Sequence, residues 1–153
     1  LTESRKHAIT AKLRKIPSLG PIRSALAVAL IQTPHRFRTK RQLWAYSGLA
    51  LETRTSGEHC YVHGQLRRSK KQVSIRGLNQ DHNHDLKGLF KAAATRASVQ
   101  PGPFQDFYQR SLTKGIKPTM ARLTLARKIA AITLSMWKKG ENFDAEKLKS
   151  QAP

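Results

Sequence analysis

The chain has 153 residues, which is enough for one domain with a hydrophobic core. It carries 29 Lys and Arg against 9 Asp and Glu, a formal charge of +20, and repulsion of that size predicts a polyanionic partner, DNA or RNA. The longest apolar runs, residues 25–31 and 129–136, are too short to span a bilayer, so we expect no membrane association and a cytoplasmic location. A single cysteine excludes an internal disulfide framework.

A Pro-x-x-Gly-Pro turn at residues 17–21 joins two helix-forming segments. Pro17 cannot continue a helix, Gly20 can take positive φ, and Pro21 suits the first position of a new helix. We therefore predict a helical hairpin whose second helix ends near residues 33–34. Its apolar clamps would be Leu13, Ile16, Leu19 and Ile22. Free N–H groups at the start of the second helix suit a phosphate oxygen, although an ordinary corner between two helices explains the same turn.

The basic segment 35–41 surrounds one aromatic residue, Phe37. Thr39 is predicted to cap a short helix over residues 40–47, which Gly48 would end. Residues 49–80 then lose helical periodicity and carry a basic run at 67–71, although residues 72–76 alternate like a short strand. We interpret this stretch as a long irregular loop with a function, because loops of that length in compact domains are either functional or disordered.

Helical periodicity returns after residue 84. We predict a helix capped by Asp85 and running to about Ser98, a short helix over 104–114, and a long buried helix from Pro118 that Gly140 ends. The expected fold is mainly α, with a helix-hairpin-helix-like motif and a long irregular basic loop that can hold a short β-hairpin. Residues 1–15 would form a helical arm or linker, residues 16–140 the domain, and residues 141–153 a polar tail.

Cys60 and His63, together with His82 and His84, have the spacing of a four-ligand zinc site. One cysteine with three histidines is an unusual structural set, so we favour solvated loop histidines and predict no metal site. The acidic residues are scattered along the sequence and form no cluster that would hold magnesium.

Three stretches of the sequence form a recognisable series. The first is residues 16–22 (IPSLGPI), the second is residues 36–49 (RFRTKRQLWAYSGL) followed by Thr55-Ser56-Gly57, and the third is Ala126-Arg127-Lys128-Ile129 after Phe107-Tyr108 and Lys114-Gly115. In this order and spacing, which covers roughly residues 16–140, they resemble the C-terminal domain of the IS-one-ten class of insertion-sequence transposases. Ser18 replaces the family's usual first hairpin glycine, and two segments, 77–79 and 82–83, compete for the family's Gly-Asn position.

The resemblance implies a DNA recombinase whose C-terminal half supplies a serine that attacks DNA, under the guidance of a bridge RNA. The N-terminal half of this class is similar to RuvC nucleases and holds Mg²⁺ with four acidic residues. This chain would then be the nucleophile-bearing half alone, with no cofactor of its own. It would act with the RuvC-like domain in a homo-oligomer, in a bacterial or archaeal nucleoid. Ser56 is the implied catalytic residue, and Thr55 is the neighbouring hydroxyl that competes for this role.

Cations in the two basic segments and on the last long helix are the predicted nucleic-acid contacts, because phosphate contacts dominate affinity. Phe37, Trp44 and Tyr61 are available to stack on bases. The predicted nucleic-acid-binding set is Gly20, Arg36, Arg38, Lys40, Arg41, Arg54, Arg67, Arg68, Lys70, Lys71, Arg76, Arg127 and Lys128.

Two non-catalytic alternatives remain beside the recombinase. One is a helix-hairpin-helix module that grips DNA or RNA and catalyses nothing, and the other is a basic ribosome-associated or RNA-scaffold protein. The chemistry of the Ser-Gly pair at residues 56–57 separates the recombinase from the binding module.

Overall fold

The structure is a computed structural model that describes residues 7–54, 59–68 and 74–149. It is mainly α, as predicted. The helices are α1 (Ala8–Leu13), α2 (Pro21–Ile31), α3 (Lys40–Tyr46), α4 (His84–Val99), α5 (Pro103–Thr113), α6 (Pro118–Lys139) and α7 (Glu146–Lys149), and the strands are β1 (Leu51–Arg54), β2 (His59–Val62), β3 (Gln65–Arg68) and β4 (Ser74–Leu78). A 3-10 turn, Pro34–Arg36, lies between α2 and α3.

The core is built around α6, which packs against α1, α3, α4 and α5. Leu125, Ile129 and Met136 on α6 are buried at helical spacing. Phe90 on α4 and Phe104 on α5 are also buried. Small residues separate these large ones on both α4 and α6, so that the two helix axes can approach closely. Each large apolar side chain removed from water contributes about 1.5–3 kcal/mol before the entropy of folding is counted.

The connection between α1 and α2 differs from its prediction in two places. Leu13, Ile16 and Leu19 are fully buried, but Ile22 is 70% exposed because it lies in the first turn of α2, on the solvent side. Positive φ also falls on Ser18, at 72°, whereas Gly20 has the extended backbone of an N-cap residue, with φ at −68°. The position at which the family usually has its first glycine is therefore the one with left-handed backbone.

The segment predicted as an arm packs on the domain from residue 8 onward. Leu13 is fully buried, and α1 contacts both α2 and α6. The Lys12 ammonium donates to the carbonyl oxygen of Gly140 at 2.8 Å, so the first helix is joined to the end of α6. Residues 1–6 of the predicted arm lie outside the described residues.

The start of α4 is capped by Asn83, and the prediction that Asp85 caps it is wrong. The Asn83 side-chain oxygen accepts from the N–H of Leu86 at 2.8 Å, and Asp85 is the second residue of the helix. Both residue types favour N-caps. The choice falls on Asn83 because its N–H also donates to the carbonyl oxygen of Tyr46, which fixes the backbone at that point.

Residues 49–80 are more regular than predicted wherever the structure describes them. β1 pairs antiparallel with β4, and β2 pairs antiparallel with β3 through the turn at His63 and Gly64. The short hairpin that the sequence permitted is therefore present, and the irregular loop is wrong for these residues. The strand predicted at 72–76 is observed from Ser74 to Leu78. We call the four strands together the β arm.

The residues after Gly140 also contribute to the core. The ring of Phe143 lies 5.5 Å from that of Phe104, and Leu148 on α7 is buried. Within the described ranges, no helix combines the length and apolar character needed to cross a membrane.

Candidate nucleic-acid interface

The segment before α3 presents Arg36 on a pair of aromatic rings. Its guanidinium carbon lies 5.6 Å from the ring centre of Phe37 and 5.1 Å from that of Tyr46. One guanidinium nitrogen donates to the carbonyl oxygen of Ile31 at 3.3 Å. The side chain is nevertheless exposed, so Arg36 combines a fixed position with access to solvent. A guanidinium held in this way is pre-organised for a phosphate.

The Tyr46 hydroxyl completes this cluster. Asn83 donates to the phenol oxygen at 3.5 Å, and the pKa of Tyr46 is held below its ordinary value by that hydrogen bond first and by Arg36 second. Both interactions stabilise the negative form of the phenol, which is why its pKa falls.

Lys138, near the end of α6, also holds the basic segment 35–41 in place. Its ammonium donates to the carbonyl oxygens of Phe37 and Arg38. The sequence analysis missed this residue, because a lysine in the last turn of a helix is ordinary and its partners lie about a hundred residues away. Lys138 therefore fixes the backbone from which Arg38 extends into solvent.

Three predicted contacts meet in one cleft. Lys40, Arg127 and Lys128 line a cavity of about 510 Å³ between α3, α5, α6 and the residues after Gly140. Lys40 lies over the ring of Trp44 at 5.7 Å, and Lys128 lies over the ring of Phe107 at 5.9 Å. Burial lowers the pKa of Lys128, and the charge of Lys40 lowers it further. The two ammonium groups therefore raise each other's energy, and an anion at this rim would relieve that repulsion.

The lining of the cleft is not purely basic. Glu141 and Asp144 are also among its lining residues, together with the apolar side chains of Ile132 and Phe143. The cleft thus combines cationic, acidic and apolar side chains.

Arg127 is bound inside the fold. Its side-chain Nε donates to the carbonyl oxygen of Leu49 at 2.6 Å, and its own carbonyl oxygen accepts from the indole N–H of Trp44 at 2.9 Å. Burial lowers the pKa of its guanidinium. One terminal nitrogen is buried and has no hydrogen-bond partner among the described residues. Arg127 therefore joins α6 to the end of α3, directly before the β arm begins.

Where the chain enters the β arm, the backbone of Gly48 lies so close to His82 that only glycine fits. Gly48 has a φ of 65°, and a Cβ atom built at this position would lie 2.5 Å from the His82 ring. The His82 ring in turn lies 4.4 Å from that of His84. No group of three or more His, Cys, Asp or Glu side chains converges in the described part of the chain.

Two asparagines bind the segment after β4 to the end of α3. Asn79 donates from its side chain to the carbonyl oxygen of Ala45 at 3.1 Å, and the N–H of Asn83 donates to that of Tyr46 at 2.8 Å. Both segments that competed for the family's Gly-Asn position thus anchor to the end of α3. Neither asparagine was predicted as a site residue.

The remaining predicted residues are distributed as follows. Arg41 lies in the first turn of α3 and Gly20 at the start of α2, and neither is among the residues that line the cleft. Arg67 is exposed on β3. Arg54, Arg68 and Arg76 lie on β1, β3 and β4, whereas Ser56, Lys70 and Lys71 lie outside the described residues.

The comparisons with known proteins agree with the resemblance seen in the sequence. The chain is 27% identical over 124 residues to an uncharacterised 44.8 kDa protein of insertion element IS116 from Streptomyces clavuligerus, covering 81% of this chain and 28% of that protein. It is 24% identical over 139 residues to an uncharacterised 43.6 kDa protein of insertion element IS110 from Streptomyces coelicolor, covering 91% of this chain and 31% of that protein. The chain thus spans about three tenths of the length of these relatives. The model of the transposase IS116/IS110/IS902 family matches residues 10–109, and the chain belongs to this family.

Proposed function

We propose that this chain is the nucleic-acid-binding, nucleophile-bearing domain of an insertion-sequence DNA recombinase. The observation that carries the proposal is the family match, because the matched range 10–109 contains Ser56 and both basic segments. The formal charge of +20 supports a polyanionic substrate. Arg36, Arg38 and Lys40 supply a basic surface, in which Arg36 is held by the carbonyl oxygen of Ile31 and the backbone at residues 37 and 38 is held by Lys138.

The proposed reaction is attack by the Ser56 hydroxyl oxygen on the phosphorus of a DNA phosphodiester. A new P–O bond forms to serine while the P–O bond to one DNA strand breaks. The departing strand end takes up a proton and leaves as a free hydroxyl, and the serine proton passes to solvent. One phosphate ester replaces another, so the strand can later be rejoined to a new partner without ATP.

The basic surroundings support this chemistry. Negative charge accumulates on the phosphoryl oxygens in the transition state, and nearby guanidinium and ammonium groups stabilise it. Arg54 is the last residue of β1, which precedes Ser56 in the sequence, and Arg67 lies on β3, which pairs with the strand that follows Ser56.

The other components of the complete system are part of the same proposal. Magnesium would be held by an N-terminal RuvC-like domain, and a bridge RNA would guide target choice in a homo-oligomer. The proposed contribution of this chain is to bind nucleic acid and to supply the nucleophile.

Replacement of Ser56 by alanine in the complete protein tests the proposal. We expect Ser56→Ala to abolish recombination and to change DNA affinity less than about fivefold, because a single hydroxyl contributes at most about 1 kcal/mol to binding. Thr55→Ala is the matched control and should be far milder, because a secondary hydroxyl is bulkier and less suited to in-line attack. The measurements are recombination on a plasmid substrate and DNA affinity by titration.

A second measurement identifies the attacking atom. The protein–DNA adduct is trapped on a nicked substrate, and the modified residue is mapped by mass spectrometry. An adduct on Ser56 is expected. An adduct on Thr55 or Cys60 would reassign the nucleophile. Recombination without any adduct would retire the serine mechanism and leave a non-catalytic binding module.

A further inference from the structure

The strands β2 and β3 form a two-stranded ribbon with a tight tip. Their register pairs Tyr61 with Leu66 and Val62 with Gln65, so that His63 and Gly64 alone form the turn. Both turn residues have positive φ, at 52° and 77°, as in the turns whose twist matches that of the flanking strands. Two-stranded ribbons of this size are marginally stable alone in water. A binding partner that covers one face would therefore stabilise this ribbon.

One face of the ribbon presents an uncovered apolar pair. Tyr61 is 76% exposed and Leu66 is 57% exposed. Residues directly opposite in an antiparallel pair project from the same face with Cβ atoms about 5 Å apart. The ring of Tyr61 and the side chain of Leu66 therefore form a small continuous platform that is open to solvent.

The charge around this platform indicates the class of partner. Residues 59–68 contain two arginines and two histidines and no acidic residue. Arg68 is paired in register with His59, two positions along each strand from Leu66 and Tyr61, whereas the exposed Arg67 projects from the opposite face because successive strand residues alternate. An apolar platform with a cationic border matches nucleic acid, in which flat apolar bases are attached to a phosphate backbone.

The position of the ring on the ribbon determines which form of nucleic acid fits. Tyr61 lies on a face of the ribbon. It directly precedes the tip, which consists of residues 62–65. An exposed ring in this position can stack on a base whose face is uncovered. In a duplex the neighbouring base pairs cover both faces of each base, so a ring can stack in this way only on a base that has left the stack.

The other aromatic residues considered for base stacking are less available. Phe37 is only 5% exposed. Trp44 is half-buried, with its indole N–H committed to Arg127. Among the three candidates, Tyr61 alone presents its ring openly.

We propose that the Tyr61–Leu66 face of the β2–β3 ribbon binds an unpaired base of single-stranded DNA, with Tyr61 stacked on the base and Leu66 against its edge. This inference rests on the DNA-binding part of the proposed function. It specifies opened DNA strands, which a strand-exchange reaction must generate, as the ligand of this face.

The test compares the affinity of the purified 153-residue chain for one oligodeoxynucleotide as a single strand and as a duplex. The single strand carries 2-aminopurine, whose fluorescence reports stacking. We expect Tyr61→Ser to weaken single-strand binding roughly five- to a hundredfold, in line with the loss of one stacked base. Its effect on duplex binding should be less than about twofold. Tyr61→Phe, which keeps the ring, should retain both affinities and the fluorescence change.

A matched control removes an exposed apolar side chain elsewhere. Val99, at the end of α4, is 73% exposed, and Val99→Ser should leave both affinities unchanged. Circular dichroism of every variant establishes that each is folded. Because Tyr61 is exposed, its replacement should not affect the core.

The outcomes separate this inference from the proposed function. Normal duplex binding with single-strand binding that is indifferent to Tyr61→Ser would overturn the inference alone and leave the face to another partner. Equal losses on single strand and duplex would show insertion into a groove and would also overturn it, as would a Tyr61 effect confined to RNA of the same sequence. Failure of the unmodified chain to bind either DNA would contradict both proposals.

Discussion

The helical body and the β arm use apolar side chains in opposite ways. In the helical body Phe90, Phe104 and Leu125 are completely or almost completely buried, whereas on the arm Tyr61 and Leu66 are mostly exposed. Both regions carry positive charge, but among the side chains that the structure describes, the buried apolar ones that offset the entropy of folding lie in the body. The body therefore stabilises the fold, and the arm is an extension whose exposed residues are available to a partner.

Several specific contacts hold the junction between the two regions. Arg127, Gly48 and the asparagines 79 and 83 all act at the end of α3, where the chain leaves for the arm and returns from it. A change at the junction should therefore disturb both regions, while a change within either region should stay local.

The largest effect is expected from truncation in the helical body. Phe90→Ala should lower the free energy of unfolding by about 3–5 kcal/mol, because it leaves a cavity where a fully buried ring packed. Leu66→Ala on the arm should lower it by less than about 0.5 kcal/mol, because that side chain is mostly exposed. Urea denaturation followed by circular dichroism measures both. Similar losses for the two variants would contradict the division into a stabilising body and an exposed arm.

A smaller effect is expected at the junction. Gly48→Ala should destabilise the protein by about 2 kcal/mol, because alanine is strained at a φ of 65° and its Cβ would collide with the His82 ring. The matched control is Gly88→Ala within α4, where the new methyl group meets no atom within 4 Å. That change should stabilise the protein by about 0.5–1 kcal/mol, because alanine is the better helix former.

Thermal denaturation of the two glycine variants gives the comparison directly. Changes of opposite sign are expected. If both variants were stabilised, Gly48 would not be constrained by its backbone and by His82.

The smallest effect is expected at the cap where the arm returns to the body. Asn83→Ala should cost about 1 kcal/mol, because the N–H of Leu86 loses its acceptor. Asn83→Asp, which keeps a side-chain oxygen, should recover most of that loss. Asp85→Ala should cost only a few tenths of a kcal/mol through the helix dipole. Equilibrium unfolding in urea ranks the three variants, and a larger loss at Asp85 than at Asn83 would restore the capping role predicted from the sequence.

Local chemistry explains which predictions of the fold succeeded. The long helix from Pro118 to Lys139 follows from a proline at its start, a glycine after its end and a wide apolar stripe. The short helix after Thr39 follows from the same kind of signal. These signals act within one or two turns of the chain, so the sequence alone expresses them.

Choices between equivalent local signals were decided by distant partners. Asn83 and Asp85 are both good caps, and the hydrogen bond to Tyr46 selects Asn83. Ile22 has the spacing of a buried clamp, but the packing of α2 turns it toward solvent. The strand pairs of the β arm depend on register between segments up to 27 residues apart, such as Leu51 with Leu78, and sequence periodicity carries no information about register.

The charge, the family and the candidate nucleophile Ser56 were inferred from the sequence by itself, because they depend on composition and on motifs in a fixed order. The tertiary structure alone decided which residues stand together. In the folded chain Lys40 and Lys128 line the same cleft, and Lys138 donates to the backbone of the basic segment. Tyr61 is exposed, whereas Phe37 is buried. The physical reason is that exposure and proximity arise from packing between elements far apart in the chain, which no local pattern encodes.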